Sequence, residues 1–169
     1  MEFVAFLQVG VPEIDSTCWM RPEDMTPAQR PTPFPCDVTH PCSDLAGEMA
    51  AALAASSIIF RKGSPQYANS IVDTAKELFV FATTYEGKYS DWVVESQAEY
   101  NSTGYKDEIY WAAAWLYFAT GDDSYVNEYL LDFQNVFADL FPKKKELPTE
   151  FNWDMKTPGT MVRTRICSL

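Results

Sequence analysis

From Ser43 onward apolar residues recur at helical spacing, and the gaps between runs hold turn and capping residues. Ser43 reads as the N-cap of a first helix, with Asp44 at its positive end. The run Ala46 to Phe60 holds six alanines and almost no charge. Gly63 is placed to end that helix, and Ser64-Pro65 to open a second as N-cap and first helical residue. The second helix runs to about Tyr85 and is followed by a polar stretch, Glu86 to Gly104. A third helix is predicted over roughly Tyr105 to Thr120. Gly121 stops it, Asp122 caps a fourth, and Pro142 ends that one. Ahead of Ser43 the pattern breaks down. Seven of the eleven prolines lie in the first 42 residues. Proline fixes φ and removes a donor, so this part is expected to be loop and extended chain.

The helices repeat. Gly63-Ser64-Pro65-Gln66-Tyr67 and Gly121-Asp122-Asp123-Ser124-Tyr125 have the same form, 58 residues apart. With that offset Tyr67, Ala68, Ile71, Val72, Ala75, Leu78, Phe79 and Ala82 fall on Tyr125, Val126, Tyr129, Leu130, Phe133, Val136, Phe137 and Leu140. All these positions are apolar or tyrosine, with the spacing of one helical face. Ala54-Ala55-Ser56 likewise fall on Ala112-Ala113-Ala114. The unit is an αα-hairpin: a small-residue helix, a glycine turn, then an amphipathic helix. An alanine-lined helix can pack closely on two sides, as an inner ring requires, while its partner keeps one wet face. Two repeats cannot close a ring. Six at about sixty residues each would need roughly 350, so the chain is expected to be part of a larger domain. A compact bundle or short solenoid is the alternative architecture.

Composition narrows the function classes. The chain is 169 residues long, 47% hydrophobic and 15% aromatic, enough for a packed core. A net charge of −11 argues against a nucleic acid partner. No run of eighteen apolar residues appears, so no membrane segment is expected. Residues 1–7 lack the basic region that opens a signal peptide. A single histidine, His40, disfavours a Ser–His relay, and it reads as a loop residue. Cys18, Cys36, Cys42 and Cys167 have no C-x-x-C spacing, which disfavours zinc. Their even number permits disulfides without requiring them. Asn101-Ser102-Thr103 has the form of a glycosylation acceptor, which matters only in a secreted chain.

Particular segments carry a family likeness. Gln8-Val9-Gly10 with Cys18-Trp19-Met20-Arg21-Pro22-Glu23-Asp24-Met25, Ser43-Asp44-Leu45-Ala46-Gly47-Glu48, Gly87-Lys88-Tyr89-Ser90-Asp91, Tyr100 through Gly121, and Phe151-Asn152-Trp153-Asp154-Met155-Lys156 with Gly159 resemble plant-type family 9 glycoside hydrolases. The likeness spans about residues 6–162. It implies an all-α fold of αα-hairpin repeats, part of an (α/α)6 barrel or toroid. Residues 1–42 would form a proline-rich cleft loop, 43–85 a first hairpin, 86–104 a loop, 105–141 a second hairpin, and 142–169 a loop and aberrant or truncated tail. It also implies a fragment of an endo-β-1,4-glucanase, a cellulase acting on β-1,4-glucan with inversion, from a parent secreted to the cell wall. Inversion needs two carboxylates facing the scissile bond. The family's base lies in an Asp-Ala-Gly-Asp motif that does not occur here, and its acid lies further downstream. No catalytic residue is therefore named, and the isolated chain is expected to be inactive. Cys42 stands where the family usually has glycine. A non-catalytic helical-repeat binding module is the other reading.

The resemblance puts Trp19 in the substrate cleft, where a flat ring can stack on a sugar face. The competing role is pinning its loop. Arg21 could donate to sugar hydroxyls, or pair with Glu23 or Asp24. Tyr100 lies in a second cleft loop, or is a packed loop aromatic. Calcium takes several oxygens, carboxylate and carbonyl together. Asp107, Glu108 and Asp154, with carbonyls from Thr103 and Gly104, form a candidate Ca2+ site, as in some relatives. The alternative is an acidic first turn favoured by the helix dipole. Trp111, Trp115 and Tyr117 read as barrel core, and Lys143-Lys144-Lys145 as a solvated loop.

Overall fold

The computed structural model describes residues 5–10, 17, 19–26, 33–131, 133 and 150–167. Among the described residues four α-helices carry the architecture: α1 (Ser43–Phe60), α2 (Pro65–Thr84), α3 (Lys106–Thr120) and α4 (Thr157–Cys167). Two short strands, β1 (Ala5–Val9) and β2 (Pro33–Cys36), pair antiparallel within the proline-rich part, where loop and extended chain were expected. The second hairpin's outer helix opens with a π-helical turn, Val126–Leu130. Val136, Phe137, Leu140, Pro142 and the three lysines lie outside the described residues.

α1 packs on both α2 and α3, as its small residues predict. Ala46, Gly47, Ala50, Ala51, Ala54 and Ser57 are all buried. A side chain at Gly47 would meet the neighbouring helix: a Cβ there would lie 3.0 Å from the Glu108 carbonyl carbon and oxygen. At the other end the Arg61 guanidinium donates to the Ala119 carbonyl, near the close of α3. A cation there suits the negative end of a helix. Start meets start and end meets end, so α1 and α3 run parallel, and Arg61 and Ala119 are themselves one repeat apart. By length and composition α1 is apolar enough to cross a membrane. Here 44% of it is buried, and Ile58, Ile59 and Phe60 at its end are exposed.

α2 runs back as the amphipathic partner. Ala68, Ile71, Val72, Ala75, Leu78, Phe79 and Ala82 are buried, with Gln66, Asp73, Lys76 and Glu77 on the wet side. The Phe79 ring meets Tyr125 and Tyr129 edge-on at 5.4 and 4.9 Å, so the second outer helix docks beside the first. Leu130 and Phe133, on the face expected from the repeat, are buried.

The helix ends depart from the expected caps in two places. Gly121 stops α3 as expected, with φ +71° and its amide on the Tyr117 carbonyl at 2.7 Å. Gly63 has no positive φ, and α1 closes instead with the Gly63 and Ser64 amides both reaching the Phe60 carbonyl. Ser43 is not the N-cap either. Cys42 takes that position, and Ser43 lies one residue inside. The Ser43 hydroxyl donates to the Ala82 carbonyl at 2.8 Å and accepts the Gly87 amide at 3.1 Å, tying the start of α1 to the end of α2. Cys42 is held by a disulfide to Cys36, with Cα atoms 5.8 Å apart and both residues fully buried.

The stretch 86–104 contains two 3-10 turns, Tyr89–Asp91 and Val94–Ala98. The part expected to be loop and aberrant tail holds α4, which packs on α3. Its apolar periodicity is weak, so pattern alone misses it. Pro158 supplies a preset φ in the first turn, where its missing amide costs nothing. A Cβ on Gly159 would lie 2.5 Å from the Phe151 ring, so only glycine lets α4 approach there.

Gly47 and Gly63 provide a matched pair of tests. Gly47→Ala forces backbone apart and should cost about 1–3 kcal/mol, the range for overpacking. Gly63→Ala meets nothing within 4 Å and should be neutral or stabilise by about 0.4–1 kcal/mol. Urea titrations of the two variants check this, and equal losses would contradict the close approach.

Candidate functional site

The loop before α3 and the segment before α4 are joined by backbone-to-carboxylate hydrogen bonds. The Thr103 amide donates to Asp154 Oδ1 at 2.8 Å, and the Lys156 amide to Asp107 Oδ2 at 2.6 Å. A tight turn fixes the second segment: Asn152 and Met155 form a bridge, and the Asp154 amide donates to Asn152 Oδ1 at 2.9 Å. Above this junction the Tyr100 ring meets Trp153 edge-on at 5.6 Å. The Tyr100 carbonyl accepts the Tyr89 hydroxyl.

Behind it lies a cavity of about 210 Å³, lined in part by Asp44, Glu48, Glu108, Lys156, Tyr89 and Trp153. Lys156 is only 5% exposed, and its ammonium pairs with Glu48 Oε1 at 3.2 Å. It also donates to the Asn152 carbonyl and lies 5.7 Å from the Phe151 ring centre. Asp44 accepts the Leu45 amide at 2.9 Å and the Tyr89 amide at 3.2 Å. Burial raises the carboxyls of Asp44 and Glu48 above their usual range, and the Lys156 charge partly offsets the effect at Glu48. Glu108 is 2% exposed, and its Oε2 has no hydrogen-bond partner. Burial, then the neighbouring Asp107 carboxylate, pushes Glu108 up to about 10. It is a neutral acid at pH 7.

The candidate substrate residues lie in two places. Trp19 is 98% exposed. Arg21 pairs with Asp24, Nε to Oδ2 at 2.8 Å, and the pair stays exposed. Tyr100 is half-exposed and leans on Trp153 rather than packing into the core. Thr103, Gly104, Asp107, Glu108 and Asp154 all belong to the junction. Among the described residues, however, no three His, Cys, Asp or Glu side chains form a group able to hold a metal ion. The expected convergence of three carboxylates is not formed. Asp154 and Asp107 each accept a backbone amide, and the acids that crowd Glu108 are Asp107 and Glu48. The donor chemistry still suits a hard cation, because the buried Glu108 Oε2 is an unpartnered oxygen beside a second carboxylate.

Sequence reasoning missed Glu48 and Lys156, the ion pair that lines the cavity. One signal was present: Asp44 and Glu48 stand four apart on a helix otherwise made of small and apolar residues. Two acids on one face of such a helix call for a buried cation.

The glycosyl hydrolase family 9 model matches residues 1–169. The chain is 43% identical to endoglucanase 24 of Oryza sativa subsp. japonica over 159 residues, 94% of this chain and 29% of that protein. It has the same identity and coverage with endoglucanase 10 of Arabidopsis thaliana. Among solved structures it resembles an endoglucanase from the termite Nasutitermes takasagoensis, with TM-score 0.83 and 41% identity over 98% of this chain and 36% of that one. The cellulase Cel9M of C. cellulolyticum, solved in complex with cellobiose, matches with TM-score 0.77 and 26% identity, again over 98% of this chain and 37% of the other. The chain thus spans less than a third of the length of these plant relatives.

The buried acids set a pH dependence. Glu108 ionises near its ordinary 4.5 in the unfolded chain and near 10 in the fold, so over that interval the native state holds a proton the unfolded chain has lost. Stability is then greatest below the unfolded value and falls as pH rises through the folded one. The raised carboxyls of Asp44 and Glu48 act in the same sense. Thermal melts in chelator should therefore show a Tm that falls between about pH 5 and about pH 9. Glu108→Gln, which cannot ionise, should flatten the slope. An unchanged slope in that variant would contradict the assignment.

Proposed function

The chain belongs to glycosyl hydrolase family 9, and we propose that it serves as part of an endo-β-1,4-glucanase that cuts internal β-1,4-glucosidic bonds with inversion. On this reading the chain supplies wall and subsite residues, and the catalytic carboxylate pair comes from other parts of the whole protein. The observation that carries the reading is Trp19. Burying a tryptophan ring is favourable, yet this one is 98% exposed on a loop rich in proline. Its ring is free to stack on the C–H face of a glucosyl unit. Arg21, oriented by Asp24, keeps guanidinium protons for sugar hydroxyls. Tyr100, braced by Trp153, offers a second aromatic contact. The substrate is a cellulose-like β-glucan, in keeping with the cellobiose bound to the related cellulase. The parent enzyme is secreted to the cell wall, and the Cys36–Cys42 disulfide supports an oxidising destination.

A structural Ca2+ belongs to the same reading. Asp107, Glu108 after loss of its proton, and Asp154 do not converge in the fold as it stands and would be drawn together with the carbonyls of Thr103 and Gly104 to hold it. The cation would relieve the unpartnered Glu108 oxygen and bind the loop before α3 to the segment before α4.

Two measurements on the full-length enzyme test these proposals. Trp19→Ala should raise KM for a soluble β-1,4-glucan by roughly tenfold, the equivalent of about 1.4 kcal/mol, with a smaller change in kcat. An unchanged KM would remove Trp19 from the cleft. Calcium at about a hundredfold excess over its Kd should add about 2.7 kcal/mol of stability, reversed by chelator. Asp154→Ala should abolish most of that response, and Asp122→Ala, a cap only, should keep it. An unresponsive wild-type melt would sink the calcium site.

A further inference from the structure

We propose that Asn101 carries an N-linked glycan, an inference that rests on the secreted reading of the parent enzyme. Asn101-Ser102-Thr103 is the only Asn-x-Ser/Thr triplet in the chain. The fold presents it openly. Asn101 is exposed, lies outside any helix or strand, and its side chain makes no hydrogen bond among the described residues. The residues on either side are anchored. The Tyr100 carbonyl accepts the Tyr89 hydroxyl, Ser102 is buried with its carbonyl on Lys88 Nζ at 3.1 Å, and the Ser102 hydroxyl donates to the Gly104 carbonyl at 2.7 Å. The loop is thus held in place while the one amide between these anchors faces solvent, so a bulky modification there displaces nothing.

Two independent features point the same way. The buried Cys36–Cys42 disulfide marks a chain folded in an oxidising compartment, where such acceptors are modified. The exposed Trp153 ring, 51% accessible and edge-on against Tyr100, offers an apolar surface near this loop on which the first sugar can rest, leaving the Tyr100 ring to the substrate. In the transfer, Asn101 Nδ2 bonds to C1 of a lipid-diphosphate-linked oligosaccharide. The C1–O bond breaks, the lipid diphosphate leaves with that electron pair, and the amide gives up one proton. No oxidant or reductant takes part.

The test is peptide mapping of the full-length protein secreted from insect cells, with a known acceptor sequon appended as an internal standard. The expected result is a disulfide-linked Cys36–Cys42 peptide and an Asn101 peptide recovered as a glycopeptide, which peptide-N-glycosidase converts to its deamidated form. Asn101→Gln should remove one glycan from the intact mass, and Thr103→Ser, which keeps the acceptor motif, should retain it. Linked cysteines and a glycosylated standard beside unmodified Asn101 would overturn the proposal alone. Free thiols at Cys36 and Cys42 in the secreted protein would overturn the compartment argument, and the proposal with it.

Discussion

Where α1 passes α3, Gly47 leaves no room for a side chain: a Cβ would stand 3.0 Å from the Glu108 carbonyl. Fourteen residues on, the Arg61 guanidinium reaches the Ala119 carbonyl at the far ends of the same two helices. A parallel pair this close needs small residues along the whole contact, which Ala50, Ala51 and Ala54 on one helix and Ala112 and Ala113 on the other provide. Parallel neighbours cannot be joined by a short turn. Each inner helix must therefore be followed by an outer helix that carries the chain back, and α2 performs that return. The amphipathic pattern of α2 is the consequence of a wet side and a side facing α1.

The same approach explains the chemistry of the cavity. Glu108 sits in the first turn of α3, with its backbone against Gly47 and its side chain buried in the cavity beside that contact. Asp44 and Glu48, flanking Gly47 on α1, are drawn toward the same space. Lys156 answers Glu48, the backbone amides of Leu45 and Tyr89 answer Asp44, and Glu108 is left with an unpartnered oxygen. Rigid packing and buried acidity are thus linked. The aromatic residues offered to a sugar, Trp19 and Tyr100, lie on loops outside this core, where exposure is compatible with a stable scaffold.

Much of the scaffold was legible in the sequence because it is periodic. The 58-residue offset, the alanine run and the amphipathic face of α2 are local signals, and the structure preserves them. The family likeness, carried by the tryptophan loop and the Ser43 to Glu48 segment, agreed with the matched family model. What escaped depends on partners distant in sequence. Ser43 has the right chemistry for an N-cap, but its hydroxyl is taken by the end of α2, and a disulfide holds Cys42 in the capping position. The Glu48–Lys156 pair joins residues far apart in sequence, so the spacing of Asp44 and Glu48 signals a buried cation without saying which one. α4 lacks a strong apolar stripe, and its place against α3 depends on the absence of a side chain at Gly159. The carboxylates of Asp107 and Asp154 were legible as acids near one another's loops, but not as acceptors of the Lys156 and Thr103 amides.

The dependence of the fold on the α1–α3 contact is open to native-state hydrogen exchange, resolved by segment. Buried helices held in one cooperative unit open only with the whole structure, whereas loops exchange by local motion. The account predicts that amides of α1 and α3 are the last to exchange, at matched rates, and that Gly47→Ala speeds both together. Exchange of α1 as fast as residues 86–104 while α2 stays protected would contradict it.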